Sequence, residues 1–383
     1  VFEVWFWQRI VTPHMAELAA ALAQQGCSVT YVAEQPMSAD RVKQGWTVPK
    51  LPGVRQVFAP TFDSISALIA SAPSDSTHIC QGLRGNGLVG HAQGALKARG
   101  LRQWVVMETV DDTGWRGAVK RLEYRRLFTN WRKHLRGVLA IGQTSPEWVA
   151  SRGMPKARVF PFAYFLKDLD LKEPLENKMR EHFRFVFVGQ FIERKRLDLL
   201  LDALQRIKTR DFELAVVGSG PMEATLKAMS EQLLPGRVHW VGGLPLDQVP
   251  AEIAKADCLV LPSRHDGWGA VVSEALMAGT PVICSNACGA AGVVHASGKG
   301  GVFRSGERGD LIVNLERVLS TGLVQETDRV SLADWASCLG AKAGASYLLN
   351  ILKYDGGSGV TPSAPWARAL GNRIDRNSSP VQD

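Results

Sequence analysis

Two acids eight positions apart, Asp266 and Glu274, stand in the stretch HDGWGAVVSEALMAGTPVI, which runs from His265 to Ile283. Gly267, Trp268 and Gly269 follow the first acid, and Ala270 opens an apolar run of helical character. Glycine at such a turn lets the backbone approach a ligand closely. The first N–H groups of the helix, near Gly269, Ala270 and Val271, would face an anion, assisted by the helix dipole. Glu274, just past the first helical turn, would accept hydrogen bonds from vicinal hydroxyls such as those of a ribose. Asp266, just before the glycines, would hold sugar hydroxyls beside a phosphate. The combination suits a nucleotide sugar. Taken alone, the pair is better explained as a helix N-terminus with favourable acids in its first turns.

A second group lies upstream. In VFVGQFIERKRLDLLLDAL a strand ends at Gly189, Gln190 follows, and Glu193, Arg194, Lys195 and Arg196 precede a helix. Lysine and arginine at the carboxyl end of a strand suit a diphosphate; the ordinary alternative is a solvated basic turn. VVGSGP supplies Gly218 and Gly220, but Glu223 stands where a dinucleotide fingerprint needs its third glycine, so that fingerprint is incomplete. A dinucleotide-dependent oxidoreductase is therefore not supported.

As an ordered set, VFVGQFIERKRLDLLLDAL, VVGSGP, VHWVGGLP and LPSRHDGWGAVVSEALMAGTPVI resemble the nucleotide-binding domain of the retaining glycosyltransferase family 4, of the GT-B fold. The resemblance covers roughly Phe185 to Gly309. It implies that Glu274 binds the ribose, that Asp266 binds the transferred sugar and that Lys195 neutralises the diphosphate; either Arg194 supplies the second positive charge or phosphate binding is impaired. Gly242 to Leu246 would lie near the base. It further implies a UDP- or GDP-sugar as co-substrate, no metal or other cofactor, and transfer with retention to a hydroxyl of a glycan or lipid-linked acceptor in bacterial surface polysaccharide or glycolipid assembly. Two positions depart from the family. The first acid of its E-x7-E pair is here Asp266, one methylene shorter, and Gln190 replaces the arginine that usually follows the strand glycine. These departures motivate an alternative, a catalytically silent GT-B protein acting as a nucleotide- or glycan-binding subunit. The family's N-terminal glycine-rich loop is also replaced, by QRIVTPHMAEL, with Arg9, Thr12 and His14 in its place. Arg9, His14, Glu108 and Asp111, the last two in VVMETVDDTGW, are the acceptor-side candidates, with Asp112 beside them. For His14 a capping or packed role is the simpler explanation. Asp168-Leu169-Asp170 has the form of a metal-binding D-x-D motif but lies among lysines, and it is discounted.

These residues need a frame to position them. Short apolar runs alternate with helical ones along most of the chain, the pattern of a parallel, doubly wound sheet with helices on both faces. Strands are expected at Val1–Trp7, Cys27–Ala33, Gln56–Phe58, His78–Cys80, Trp104–Glu108 and Val138–Ile141, with a helix over His14–Gln25, and the second half repeats the scheme. The expected organisation is two Rossmann-like domains facing a central cleft. Residues 1–165 would take the acceptor, 166–182 connect, 183–330 take the nucleotide sugar, 331–354 cross back to the first domain, and 355–383 form a loose tail. GWRGAVKRLEYRRLFTNWRKHLRG is strongly basic. As one helix it sets Arg121, Arg125, Arg132 and Arg136 on one face and Tyr124, Phe128, Trp131 and Leu135 on another. Packing through the aromatic face is the preferred reading, and peripheral contact of 116–136 with an anionic membrane surface is compatible with it.

Composition agrees with this frame. The chain has 383 residues, 45% hydrophobic and 21% charged, with a net charge of +8 that favours anionic partners. No recognisable nucleic-acid module accompanies that charge, and no nucleic-acid partner is expected. Six scattered cysteines show no zinc spacing; only Cys284 and Cys288 lie close together. The opening VFEVWFW carries Glu3 and is too short for a leader, and no apolar stretch is long enough to span a bilayer. A cytoplasmic location, at the membrane face if the basic helix docks there, is the expectation.

Overall fold

The computed structural model describes residues 2–38, 47–112, 114–168, 182–354 and 360–367. They form two compact units. One comprises Val1–Lys167 with Gly340–Pro365, the other Asp168–Leu339 with the remaining C-terminal residues.

The first unit holds seven strands: β1 (Glu3–Gln8), β2 (Ser28–Ala33), β3 (Arg55–Phe58), β4 (Thr77–Gln81), β5 (Arg102–Glu108), β6 (Leu135–Ile141) and β7 (Val159–Phe162). All neighbouring pairs are parallel, in the order β3-β2-β1-β4-β5-β6-β7. Its helices are α1 (Pro13–Gln24), α2 (Phe62–Ser71), α3 (Val89–Ala98), α4 (Gly114–Trp131) and α5 (Ser145–Ala150). Central strands such as β1, EVWFWQ, are buried on both faces, which explains why they show little alternation. His78 on β4 sits inside this core. Trp7 Nε1 donates to its Nδ1 at 3.0 Å, and its Nε2 lies 2.9 Å from Ser76 Oγ, which donates in turn to the Pro73 carbonyl. Burial lowers its pKa to about 3, so it is a neutral, satisfied core histidine.

Two sequence expectations change here. The basic segment ends its helix at Trp131, so Leu135 and Arg136 belong to β6 and not to the helix. The reason is tertiary: Leu135–Ile141 completes a ladder with β5, and pairing outweighs the helical pattern that runs on through Arg136. The aromatic face of α4 is packed inward, with Tyr124 and Phe128 buried against Leu83, Val105 and Val138. Trp115, Val119 and Leu122 of the same helix remain exposed. The second change is β7, a strand absent from the sequence expectation, which lies just before the expected 166–182 connection. Pro161 lies within it, and an edge strand tolerates proline because one flank needs no partner. Leu169 and Asp170 of the D-x-D, most of the 166–182 connection and most of the tail lie outside the described residues.

The second unit carries a six-stranded parallel sheet, β10-β9-β8-β11-β12-β13. Its strands are β8 (Phe183–Val188), β9 (Phe212–Val217), β10 (Val238–Gly242), β11 (Cys258–Leu261), β12 (Val282–Ser285) and β13 (Gly300–Phe303). The helices between and after them are α6 (Leu197–Arg206), α7 (Glu223–Leu233), α8 (Val249–Ala254), α9 (Ala270–Met277), α10 (Ala291–Ser297), α11 (Arg308–Ser320) and α12 (Glu326–Ala336). Leu197, Leu200, Leu201 and Leu204 of α6 bury one stripe against Phe185, Phe187 and Leu214. A buried ion pair closes the unit: Arg329 of α12 meets Asp257 at 3.3 Å, while the Asp257 carboxylate also accepts from the Arg184 and Val324 N–H groups. Removing either partner would leave an uncompensated buried charge.

The last helix, α13 (Ala341–Lys353), belongs to the first unit and packs on α1. Gln25 Nε2 donates to the Lys342 carbonyl at 3.0 Å, and Tyr347 OH to the Pro161 carbonyl at 3.0 Å.

Candidate donor and acceptor sites

In an open parallel sheet a ligand crevice forms where the strand order reverses, outside the carboxyl ends of the strands. In the second unit that point lies between β8 and β11. The chain leaving β8 passes Gly189 and Gln190, makes a short 3-10 turn at Glu193–Lys195 and enters α6 through Arg196. Arg196 is the one non-glycine described with a left-handed backbone, at φ 57°, and its Nε is 3.2 Å from both Asp198 carboxylate oxygens. The turn points Lys195 at the chain leaving β11. Lys195 Nζ donates to Asp266 Oδ2 at 2.6 Å, with both side chains largely buried. Ser263 Oγ is 3.3 Å from the same oxygen. Arg194, more exposed, lies 3.7 Å from Asp266 Oδ1 and donates to the His265 carbonyl at 2.7 Å.

Beyond Asp266, Gly269 caps α9 with φ 83°, a left-handed backbone that suits glycine. A Cβ there would meet Cys288 Sγ at 2.7 Å and Leu261 Cδ2 at 3.1 Å. A second loop backs this turn. Asp266 N donates to the Ala287 carbonyl, Gly289 N to the Asp266 carbonyl and Ala290 N to the Trp268 carbonyl. Gly289 is needed because any Cβ would lie 1.9 Å from the Gly267 carbonyl oxygen. Trp268 is buried, and its Nε1 donates to Ser273 Oγ at 3.0 Å, so its indole is committed to packing.

Glu274 lies one turn into α9 and is half-buried. No partner for its carboxylate is seen among the described residues, and burial pushes its pKa up from 4.5 to about 7. A carboxylate that is desolvated and unpaired beside a helix N-terminus suits an incoming donor.

The glycines of VVGSGP have a structural cause. Gly218 and Gly220 press against the chain leaving β8, where added Cβ atoms would meet the Gly189 carbonyl oxygen at 2.0 Å and Phe191 N at 2.7 Å. Phe191 N donates to the Ser219 carbonyl, and Gly218 N to the Gly242 carbonyl. Gly242 ends β10 with φ 83° and open space where a Cβ would be, and Leu246 is exposed on the loop that follows. The second unit thus brings Gly189, Gln190, Arg194, Lys195, Asp266, Gly267, Gly269, Ala270 and Glu274 to the carboxyl ends of its central strands. Ser263, Cys288 and Gly289 support that edge. Their signal in the sequence is weak, because backbone pairing across about twenty residues joins the two loops.

The first unit has its own reversal between β1 and β4. Arg9, just after β1, donates its N–H to Gln81 Oε1 at 3.1 Å, and its guanidinium lies 3.9 Å from Glu34. His14, in the first turn of α1, stacks on Tyr164 with centroids 4.7 Å apart. Tyr164 OH donates to Glu108 at the end of β5. Arg9, His14 and Glu108 therefore lie along one edge of the sheet, and Tyr164 joins them. Lys120 donates to the Asp111 carbonyl, whereas the Asp112 carboxylate holds Arg152 and Trp148 Nε1 and is structurally engaged. Among the described residues no group of three or more His, Cys, Asp or Glu is placed to hold a metal ion.

The sequence model of the family "Glycosyl transferases group 1" matches residues 171–330. A 2-deoxystreptamine glucosyltransferase of Streptomyces kanamyceticus is 36% identical over 116 residues, 30% of this chain and 29% of that protein. A GDP-mannose-dependent alpha-(1-6)-phosphatidylinositol monomannoside mannosyltransferase of Mycolicibacterium smegmatis is 31% identical over 170 residues, 38% of this chain and 44% of that protein. The chain thus spans less than half the length of these curated relatives. Among solved structures, the lipopolysaccharide outer core galactosyltransferase WaaB in apo form aligns with a TM-score of 0.68 at 17% identity, covering 92% of this chain and 99% of that one. Anabaena Alr3699/HepE in complex with UDP aligns with a TM-score of 0.68 at 15% identity and the same coverage. Residues 171–330 thus match the glycosyl transferases group 1 family, and the chain carries them within the GT-B fold, two Rossmann-like parallel sheets, that these solved structures share.

Proposed function

We propose that the protein is a retaining glycosyltransferase that moves a sugar from a UDP- or GDP-sugar to a hydroxyl of a glycan or lipid-linked acceptor in bacterial polysaccharide or glycolipid assembly. The observation that carries this reading is the set Lys195, Asp266, Gly269 and Glu274 at the reversal point of the second sheet. The diphosphate would lie against Lys195 and the N-terminus of α9, with Arg194 at the outer side. Glu274 would take the ribose hydroxyls. Asp266 is bound to Lys195 in the free protein; it orients that ammonium and meets the sugar hydroxyls as the diphosphate engages it. In the transfer, the bond from the anomeric carbon to the phosphate oxygen breaks and the bond to the acceptor oxygen forms on the same face. The acceptor proton passes to the departing phosphate oxygen. Catalysis then rests on stabilising the growing diphosphate charge, a task for preorganised cations and N–H groups, and no protein nucleophile or metal is required. Arg9, His14, Glu108 and Asp111 would meet the acceptor. The relatives named as a GDP-mannose-dependent mannosyltransferase and a UDP-bound structure support a nucleotide-sugar donor of one of these two kinds.

The silent-subunit reading rests on Asp266 being held by Lys195 and Ser263, with Gln190 in place of a cation. Calorimetric titration with UDP, GDP, ADP and NAD in EDTA, on wild type and Glu274→Ala, tests both. Binding of UDP or GDP that the substitution abolishes, followed by turnover of the matching sugar nucleotide, is the expected result. Binding without turnover of any sugar nucleotide selects the silent subunit, and no binding at all rejects the donor site.

A further inference from the structure

The first unit has a strongly basic pocket on the opposite edge of its sheet, at the amino ends of β5 and β6. It encloses about 350 Å³ and is walled by Lys97, Arg102, Gln103, Lys133, Arg136 and Arg158, with His134 at its side. Five fixed cations line it and no acid does. None of the five forms an ion pair among the described residues; Arg158 spends its guanidinium on the Arg132 and Leu135 carbonyls, each at 3.0 Å. Lys97 sits 5.5 Å from the Trp131 ring centre, which holds it at the pocket wall.

The plain explanation is that these cations offset the C-termini of α3 and α4, which end beside the pocket. Each helix end carries about half a negative charge, roughly one unit for the two. Five cations exceed that several-fold, and nearby like charges repel unless an anion joins them. Gln103 is fully buried in the pocket wall, where its amide donates to the Gln93 carbonyl at 3.2 Å and ties β5 to α3.

We infer that this basal pocket binds a multiply charged phosphate, whose oxygens engage the Arg102, Lys133 and Arg136 cations. The shared chemistry is the phosphate group, whether free in solution or on a lipid headgroup. Arginine forks favour phosphate over a simple halide because two N–H groups reach two oxygens at once. The site is separate from the donor edge, in the other unit, and does not depend on the proposed reaction.

The test is calorimetric titration of the full chain with inorganic pyrophosphate in a Lys195→Ala background, which removes the donor-site lysine. One pyrophosphate is expected to bind. Adding Arg102→Glu and Lys133→Glu, both exposed, should weaken it at least about tenfold, the equivalent of one lost charge-assisted contact. Lys50→Glu with Arg55→Glu makes the same change of net charge elsewhere on the unit and should weaken it by no more than about twofold. Equal loss in both pairs, or no binding before either, overturns the inference. Flotation with phosphatidylcholine vesicles, with and without phosphatidic acid, separates the sources. Association that needs phosphatidic acid and the pocket cations assigns a headgroup, and pyrophosphate binding without vesicle association assigns a free phosphate. UDP or GDP binding should be unchanged by the pocket substitutions, so failure here is distinct from failure of the donor site.

Discussion

Glu274 shows how one residue would trade stability for the binding role proposed for it. Its pKa in the folded protein is raised to about 7 by burial, whereas in an unfolded chain it is near 4.5. Below pH 4.5 the carboxyl is protonated in both states and costs nothing. Between pH 4.5 and 7 the unfolded chain releases the proton first, so stability falls as pH rises, and the full penalty is present above 7. At 1.36 kcal/mol per unit it reaches up to about 3 kcal/mol. Glu274→Gln should therefore raise Tm at pH 8 and leave it nearly unchanged at pH 4.5, while nucleotide binding is lost. Equal melting curves at both pH values would contradict the buried, unpaired carboxyl. Ribose hydroxyls donating to the ionised form should also make wild-type nucleotide affinity fall as pH drops below about 7. Titration in buffers of different ionisation enthalpy would show one proton released per nucleotide at pH 6. The pair Asp266 and Glu274 was legible in the sequence because its spacing around two glycines is local. The ion pair of Asp266 with Lys195 was not, since 71 positions separate them and only the order of the strands brings them together.

At the scale of elements, the turn before α9 is held between two constraints, a left-handed glycine and the Cys288 sulfur. Gly269→Ala should cost about 1–2 kcal/mol from its backbone alone, plus the clash with Cys288 Sγ at 2.7 Å. Cys288→Ala removes the sulfur and should recover the steric part only. Thermal melts of the two single variants and the double variant measure that coupling, and strict additivity would show that the sulfur does not press on the turn. Most strands were visible as apolar runs, with boundaries off by a few residues. β7 was missed because Pro161 interrupts its pattern, and the end of α4 was misplaced because the spacing of its arginines continues past the point where β5 captures the chain. The stacking of His14 on Tyr164 and the bond from Tyr164 to Glu108 join three elements, and no local pattern signals such a meeting.

For the whole molecule, the first unit is completed by a segment that follows the second in sequence. α13 fits there because Gly344 leaves room for Phe165; a Cβ would come within 2.2 Å of Phe165 Cγ. Gly344→Val should overpack this contact and lower stability by about 1–3 kcal/mol. A chain ending at Leu339 should lose the cooperative transition of the first unit while the second unit still melts. Calorimetric scans resolve the two, and an unchanged first transition would show that α13 is dispensable.

The same arrangement sets an order of events on the ribosome. The seven strands of the first sheet emerge by Phe162, but the helix that covers α1 emerges only after Lys353. At about 5–20 residues per second that is a delay of roughly 10–40 s. During it the bare face of α1 is exposed to solvent, and the newborn chain is a natural client for holdase chaperones until its last helix arrives.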